Sequence, residues 1–234
     1  MKRFFILILS IILVVPSLSA QLLPEGYILQ YQQSFNGSIS LSGFWVENPE
    51  AWGIFNAGGN SYLHFKGLPH QGPPSRLPEN ITVLNNHIFG DFILEAQVMP
   101  GIDSNGFGEI CLFVGLKDLS NYYCIQLANR CDSLYHGIYV VKKSVIRRLT
   151  GPDASPVVWE SGKWQRIRLE RNIVKRTILV YVGDARQPVL QCKDYELVMG
   201  SVGFGSFAGS GNIDNIRIWA PTVIRDEGQG TGDK

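Results

Sequence analysis

Three strand-like runs separated by two turn clusters crowd the stretch from Gly106 to Val141, and that spacing restricts the chain to stacked antiparallel hairpins. Glu109 to Leu116 is almost unbroken apolar sequence and ends at Lys117-Asp118-Leu119-Ser120-Asn121, which is rich in turn formers. Tyr122 to Asn129 is dense in aromatic and β-branched residues, and His136 to Val141 has the composition of a third strand.

A turn about the middle of Asp118 to Asn121 makes opposed residue numbers sum to about 239. Gly115 is then expected opposite Cys124, Phe113 opposite Gln126, Cys111 opposite Ala128 and Glu109 opposite Arg130. Because strand side chains alternate between faces, Glu109, Cys111, Phe113, Tyr122, Cys124, Gln126 and Arg130 share one face. Ile110, Leu112, Val114, Leu116, Tyr123, Ile125 and Leu127 share the other, the more uniformly apolar and the expected core. The first face mixes carboxylate, amide, guanidinium and aromatic groups and is expected to look onto an open groove.

Before this stretch, residues 1–20 combine Lys2 and Arg3, an apolar run from Phe4 to Val15 and a small-residue end at Ala20. That order describes an export leader cleaved near Ala20, and no later run is long enough to span a membrane as a helix. Removing the leader's two bases leaves 19 basic against 20 acidic residues, a balance that invites neither nucleic acid nor an anionic membrane. Residues 21–220 are expected to form one domain and residues 221–234 a flexible polar tail. Cys111, Cys124, Cys131 and Cys192 lack zinc-site spacing, and sequence alone pairs none of them.

Gly58-Gly59-Asn60 signals a hairpin, and His64 lies in the alternating run Tyr62-Leu63-His64-Phe65 as an outward, solvated histidine. Asn36-Gly37-Ser38 and Asn80-Ile81-Thr82 match the glycosylation acceptor pattern. Arg166, Arg168 and Arg171 form a basic cluster that suits either a grip on an acidic polymer or, as expected here, a solvated outer sheet face. No amphipathic helix pattern occurs, and about twelve short strands point to an all-β, two-sheet antiparallel sandwich.

The order Gly90-Asp91-Phe92-x-Leu94-Glu95, Asn121-Tyr122-Tyr123, Trp164-x-x-Ile167-x-Leu169, Val180-Tyr181-Val182, Gly203-Phe204-Gly205-Ser206-Phe207 and Ile213-Asp214-Asn215-Ile216 resembles the concanavalin A-like lectin/glucanase superfamily. Within it, the chain is similar to secreted bacterial 3-keto-disaccharide hydrolase-like and LamG-like domains, over roughly Phe35 to Trp219. The resemblance implies a jelly roll whose concave sheet receives carbohydrate. Glu109, Tyr122, Gln126, Arg130 and His136 are the expected glycan contacts.

Laminarinase-like members of that superfamily place acids at alternate positions of one strand so that nucleophile and general acid share a face, an array this chain lacks. The expected function is therefore a carbohydrate-binding or surface module. The alternative is a glycoside-processing hydrolase using Glu109 as acid or base, with His136 near the opposite end of the sheet. Many members of the fold carry calcium, for which Asp103, Asp132 and Asp214 are the candidate oxygen donors.

Overall fold

The computed structural model describes residues 23–37, 40–67, 77–132, 135–151 and 154–221. The leader over 1–20 and the tail over 221–234, apart from Pro221, lie outside the described residues. Within them the chain forms β1 (Tyr27–Gln33), β2 (Phe44–Val46), β3 (Trp52–Ala57), β4 (Asn60–Phe65), β5 (Asn80–Leu84), β6 (Phe92–Pro100), β7 (Glu109–Asp118) and β8 (Asn121–Ala128). There follow β9 (Gly137–Lys142), β10 (Val145–Arg148), β11 (Gln165–Asn172), β12 (Thr177–Val182), β13 (Leu190–Lys193), β14 (Ser201–Ser206) and β15 (Gly211–Pro221). One short 3-10 turn spans Pro49–Ala51.

The strands build two antiparallel sheets that face each other as a jelly-roll sandwich. The front sheet has seven strands in the order β10-β9-β8-β7-β14-β5-β2. The back sheet has eight, β13-β12-β11-β6-β15-β4-β3, with β1 also on β15. Alternation explains how each strand lies: along β6, Leu94, Ala96 and Val98 point into the core while Glu95 and Gln97 point out. Full burial of a side chain the size of Leu94 or Val98 contributes about 1.5–3 kcal/mol.

In the first hairpin of the front sheet Ile110, Leu112, Val114, Tyr123, Ile125 and Leu127 enter the core, as alternation requires. The register differs from the expected one. Asp118 faces Asn121, but Val114 faces Tyr123, Phe113 faces Cys124, Cys111 faces Gln126 and Glu109 faces Ala128. A bulge centred on Gly115, in the left-handed region at φ +60°, takes up two extra residues of β7. A slip of two preserves the division of faces on both sides of the bulge, whereas Leu116 moves to the outer side of the sheet.

That outer side carries a second apolar cluster, in which Cys111, Phe113, Tyr122, Cys124 and Tyr139 are each at most 2% exposed. The open groove expected here is therefore corrected to a covered surface, with Leu77, Ile146 and Phe207 packed against it. Gly205 on β14 leaves room for the Phe113 ring: a Cβ there would lie 3.2 Å from Phe113 Cε2.

Other expectations also change. Asn80 is fully buried and donates to Ser206 Oγ at 3.2 Å, so it is no surface glycosylation acceptor. His64 is half-buried, with Nδ1 2.7 Å from Asn212 Oδ1 and its ring 4.5 Å from that of Phe55. Arg171 separates from Arg166 and Arg168 because odd positions of β11 face inward; its guanidinium lies inside the sandwich, 5.2 Å from the Tyr123 ring centroid. Cys111, Cys124 and Cys192 are thiols.

Candidate functional site

Among the five expected glycan contacts, the structure brings Glu109 and Gln126 together and sets Arg130 apart. Glu109, 1% exposed, opens β7 beside the loop between β14 and β15. Its Oε1 accepts the backbone N–H groups of Phe207 at 3.0 Å, Ala208 at 3.1 Å and Gly209 at 3.3 Å, while Oε2 accepts from Gln126 Nε2 at 2.5 Å. Successive amides converging on one oxygen form an anion-binding nest, here filled by the protein's own carboxylate. Tyr122 is buried edge-on against Phe113, and burial raises its phenol well above the ordinary range.

Arg130 lies beyond the end of β8 and is exposed. It donates to Asn105 O at 2.8 Å and stands 5.5 Å from the Phe107 ring centroid. The bulge accounts for this position, since shifting the register makes Ala128 the partner of Glu109 and leaves Arg130 without a place in the ladder.

His136 precedes β9, whose Gly137 faces Gln126, so it lies at the same end of the sheet as Glu109 and not at the opposite end. Its Nδ1 accepts from Ala128 N–H at 3.3 Å, which puts the neutral ring's proton on Nε2. Burial, and then the Arg148 guanidinium, lower its pKa to about 4, while the Ser155 backbone opposes them.

The calcium donors do not converge. Asp103 Oδ1 accepts Asn105 N–H and Phe107 N–H, both at 2.8 Å, and Asp132 Oδ1 accepts Tyr135 N–H at 3.0 Å. Asp214, on the back sheet, is held by Asn60 Nδ2 at 2.9 Å and Asn215 N at 2.6 Å. No group of three or more His, Cys, Asp or Glu side chains is placed to hold a metal ion among the described residues. These aspartates therefore do not fit a shared calcium ion.

An accessible polar cleft lies instead on the outer face of the back sheet. It encloses about 370 Å³ and is lined by Glu95, Ala96, Gln97, Arg166, Asn215 and Arg217. Register places the groups: Arg166 faces Gln97 and Arg168 faces Glu95 across β11 and β6, while Asp214 faces Gln97 and Arg217 faces Glu95 across β15 and β6. Between Asp214 and Arg217 the ladder is interrupted, and Asn215 turns into the left-handed region at φ +49°. A bulge there lets β15 present Asn215 outward and still return Arg217 to the same face.

One cation is tightly held. Arg168 Nη1 lies 2.8 Å from Glu95 Oε1 and its Nε lies 2.7 Å from Glu170 Oε1. Arg166 is looser, 3.9 Å from Glu95 and 3.8 Å from Asp184, with 42% of its side chain exposed. The Arg217 side chain is exposed and has no hydrogen-bond or ion-pair partner among the described residues. Burial, then Glu170, raises the pKa of Tyr181, which stands opposite Arg168.

Aromatic rings adjoin the cleft. Trp164 precedes Arg166 by two positions on the same face, and its ring meets Tyr62 edge-on at 5.4 Å and 72°. Neither ring, nor Gln97, Asn215 or Arg217, was singled out from sequence as a contact. These residues come from strands far apart in sequence, and only the pairing of β6, β11 and β15 assembles them.

No protein-family model and no curated protein sequence matches the chain. Solved structures do match. A carbohydrate-binding module, CBM66, from Bacillus subtilis is 15% identical with a TM-score of 0.53, over 74% of this chain and 93% of its own. The cellulose-induced protein Cip1 is 13% identical with a TM-score of 0.57, over 81% and 96%. A Bacillus subtilis protein of unknown function with a galectin-like fold is 13% identical with a TM-score of 0.54, over 83% and 99%. At these identities the likeness is one of fold, a two-sheet β-sandwich that the galectin-like neighbour shares. No helix among the described residues is long and apolar enough to cross a membrane.

Proposed function

We propose that the protein is an exported carbohydrate-binding module that takes an oligosaccharide on the outer face of the back sheet. The observation that carries this reading is the Tyr62–Trp164 ring pair beside an open cleft bearing carboxylate, amide and guanidinium groups. Sugar rings offer C–H faces to aromatic side chains and hydroxyls that both donate and accept hydrogen bonds, so such a surface matches both needs. The use of a β-sandwich as a carbohydrate-binding module in Bacillus subtilis supports the reading. The proposal includes removal of the leader near Ala20 and residues 21–220 as the folded module.

Glycan-array screening followed by calorimetry tests it. Trp164→Ala is expected to weaken the best ligand roughly ten-fold, the scale of one lost aromatic contact. Its melting temperature should stay close to wild type because the ring is only half-buried. A wild-type protein that binds no saccharide, or a Trp164→Ala variant that binds as before, ends the proposal. Hydrolysis is the competing reading, and the amides gathered on Glu109 Oε1 weigh against that carboxylate as its acid or base. Sugar release by the wild type that Glu109→Gln abolishes without unfolding would reverse the choice.

A further inference from the structure

Resting on that reading of the back-sheet cleft, we infer that the saccharide is acidic, a uronate whose carboxylate is taken by Arg217 and Arg166. The inference comes from which valences in the cleft are already spent. Glu95 gives its Oε1 to Arg168 at 2.8 Å, and the same Arg168 is held from its other side by Glu170. Asp214 is 2% exposed, and Asn60 and Asn215 occupy its oxygens. Asp214 and one oxygen of Glu95 are thus committed to the protein.

Apart from the second oxygen of Glu95, what faces the cleft unspent is cationic or amide. Arg217 stands directly opposite Glu95 across β15 and β6 yet forms no ion pair with it among the described residues. Arg166 makes only long contacts to carboxylates and one hydrogen bond to Gly183 O at 3.2 Å. Two guanidinium groups approaching one cleft from β11 and β15 provide planar donor forks suited to a carboxylate. Gln97 stands between Arg166 and Asp214 in the register, lines the same cleft as Arg217 and offers an amide to a neighbouring hydroxyl.

The bulge at Asn215 belongs to the same arrangement. A left-handed asparagine costs about 1 kcal/mol or more and persists where the surroundings hold it. Here Asp214 accepts both its backbone N–H, at 2.6 Å, and its Nδ2, at 3.1 Å. If β15 ran through Asn215 in regular alternation with no bulge, Arg217 would point to the opposite face, into the core.

Calorimetry with oligogalacturonate and oligoglucuronate, each beside its carboxyl-reduced neutral counterpart, provides the test. The wild type is expected to prefer the uronate at least ten-fold at low salt, and raised salt should narrow the gap. Arg217→Gln should bring the ratio of uronate to neutral affinity close to one, whereas Trp164→Ala should weaken both sugars and keep the ratio. Equal binding of uronate and neutral counterpart by the wild type, or an unchanged ratio in Arg217→Gln, overturns the inference and leaves glycan binding standing. Absence of any saccharide binding overturns both.

Discussion

Gln126 Nε2 donates to Glu109 Oε2 at 2.5 Å, and the other oxygen of that carboxylate closes the β14–β15 turn through three backbone amides. The pair therefore fastens the β7–β8 hairpin of the front sheet to the loop that carries the chain from β14 across to β15 in the back sheet. In Glu109→Gln the remaining oxygen can keep the amides, and Gln126, whose Oε1 has no partner, can turn over to accept from the new NH₂. This variant is expected to lose no more than about 1 kcal/mol, whereas Glu109→Ala, which strands several buried donors, should lose roughly 3 kcal/mol or more. Urea denaturation of both variants measures the difference, and equal losses would refute the turned-amide account.

Acid should weaken the fold through His136. Its folded-state pKa is lowered to about 4, below the ordinary value of 6.5. Between those values the unfolded chain binds a proton that the folded chain refuses. The histidine's contribution is therefore complete above pH 6.5 and is lost as pH falls towards 4. His136→Asn suits the left-handed backbone at φ +56° and removes the titration. Denaturation midpoints at pH 7, 5.5 and 4.5 should fall less steeply for this variant than for wild type; parallel curves would remove His136 as a cause.

Glycines separate into two kinds by what surrounds them. At Gly205 a Cβ would fall 1.6 Å from Asn80 O, on the neighbouring strand's backbone. At Gly59, φ +83°, nothing lies within 4 Å. Gly205→Ala is expected to cost about 3 kcal/mol or to prevent folding, and Gly59→Ala about 1 kcal/mol from backbone conformation alone. Thermal melts rank them, and a milder effect at Gly205 would contradict the close packing of β5 on β14.

Local pattern carried the strands further than it carried the site. Alternation in β7, β8 and β6 was readable because neighbouring residues determine it. Register was not readable beyond the turn, since the Gly115 bulge depends on a left-handed backbone that composition does not reveal. That bulge put Arg130 outside the ladder and broke the expected union of Glu109, Gln126 and Arg130. The donors to Glu109 are equally hidden, because Phe207, Ala208 and Gly209 reach it only through the β14–β7 pairing. Arg166, Arg168 and Arg171 were grouped by closeness in the chain, although the parity of their numbers separates the last from the others. The cleft between β6, β11 and β15 joins residues far apart in sequence, and only strand order brings Gln97 to Arg217.

β15 serves three neighbours at once: β6 along one edge, and β4 followed by β1 along the other. A growing polypeptide on the ribosome thus has nothing to complete those ladders until nearly all of its sandwich sequence has been synthesised. Closure of the back sheet is a late, long-range event, slower than hairpin formation. A precursor interrupted before Gly211 would expose the edges of β4 and β6 as sticky templates for other chains.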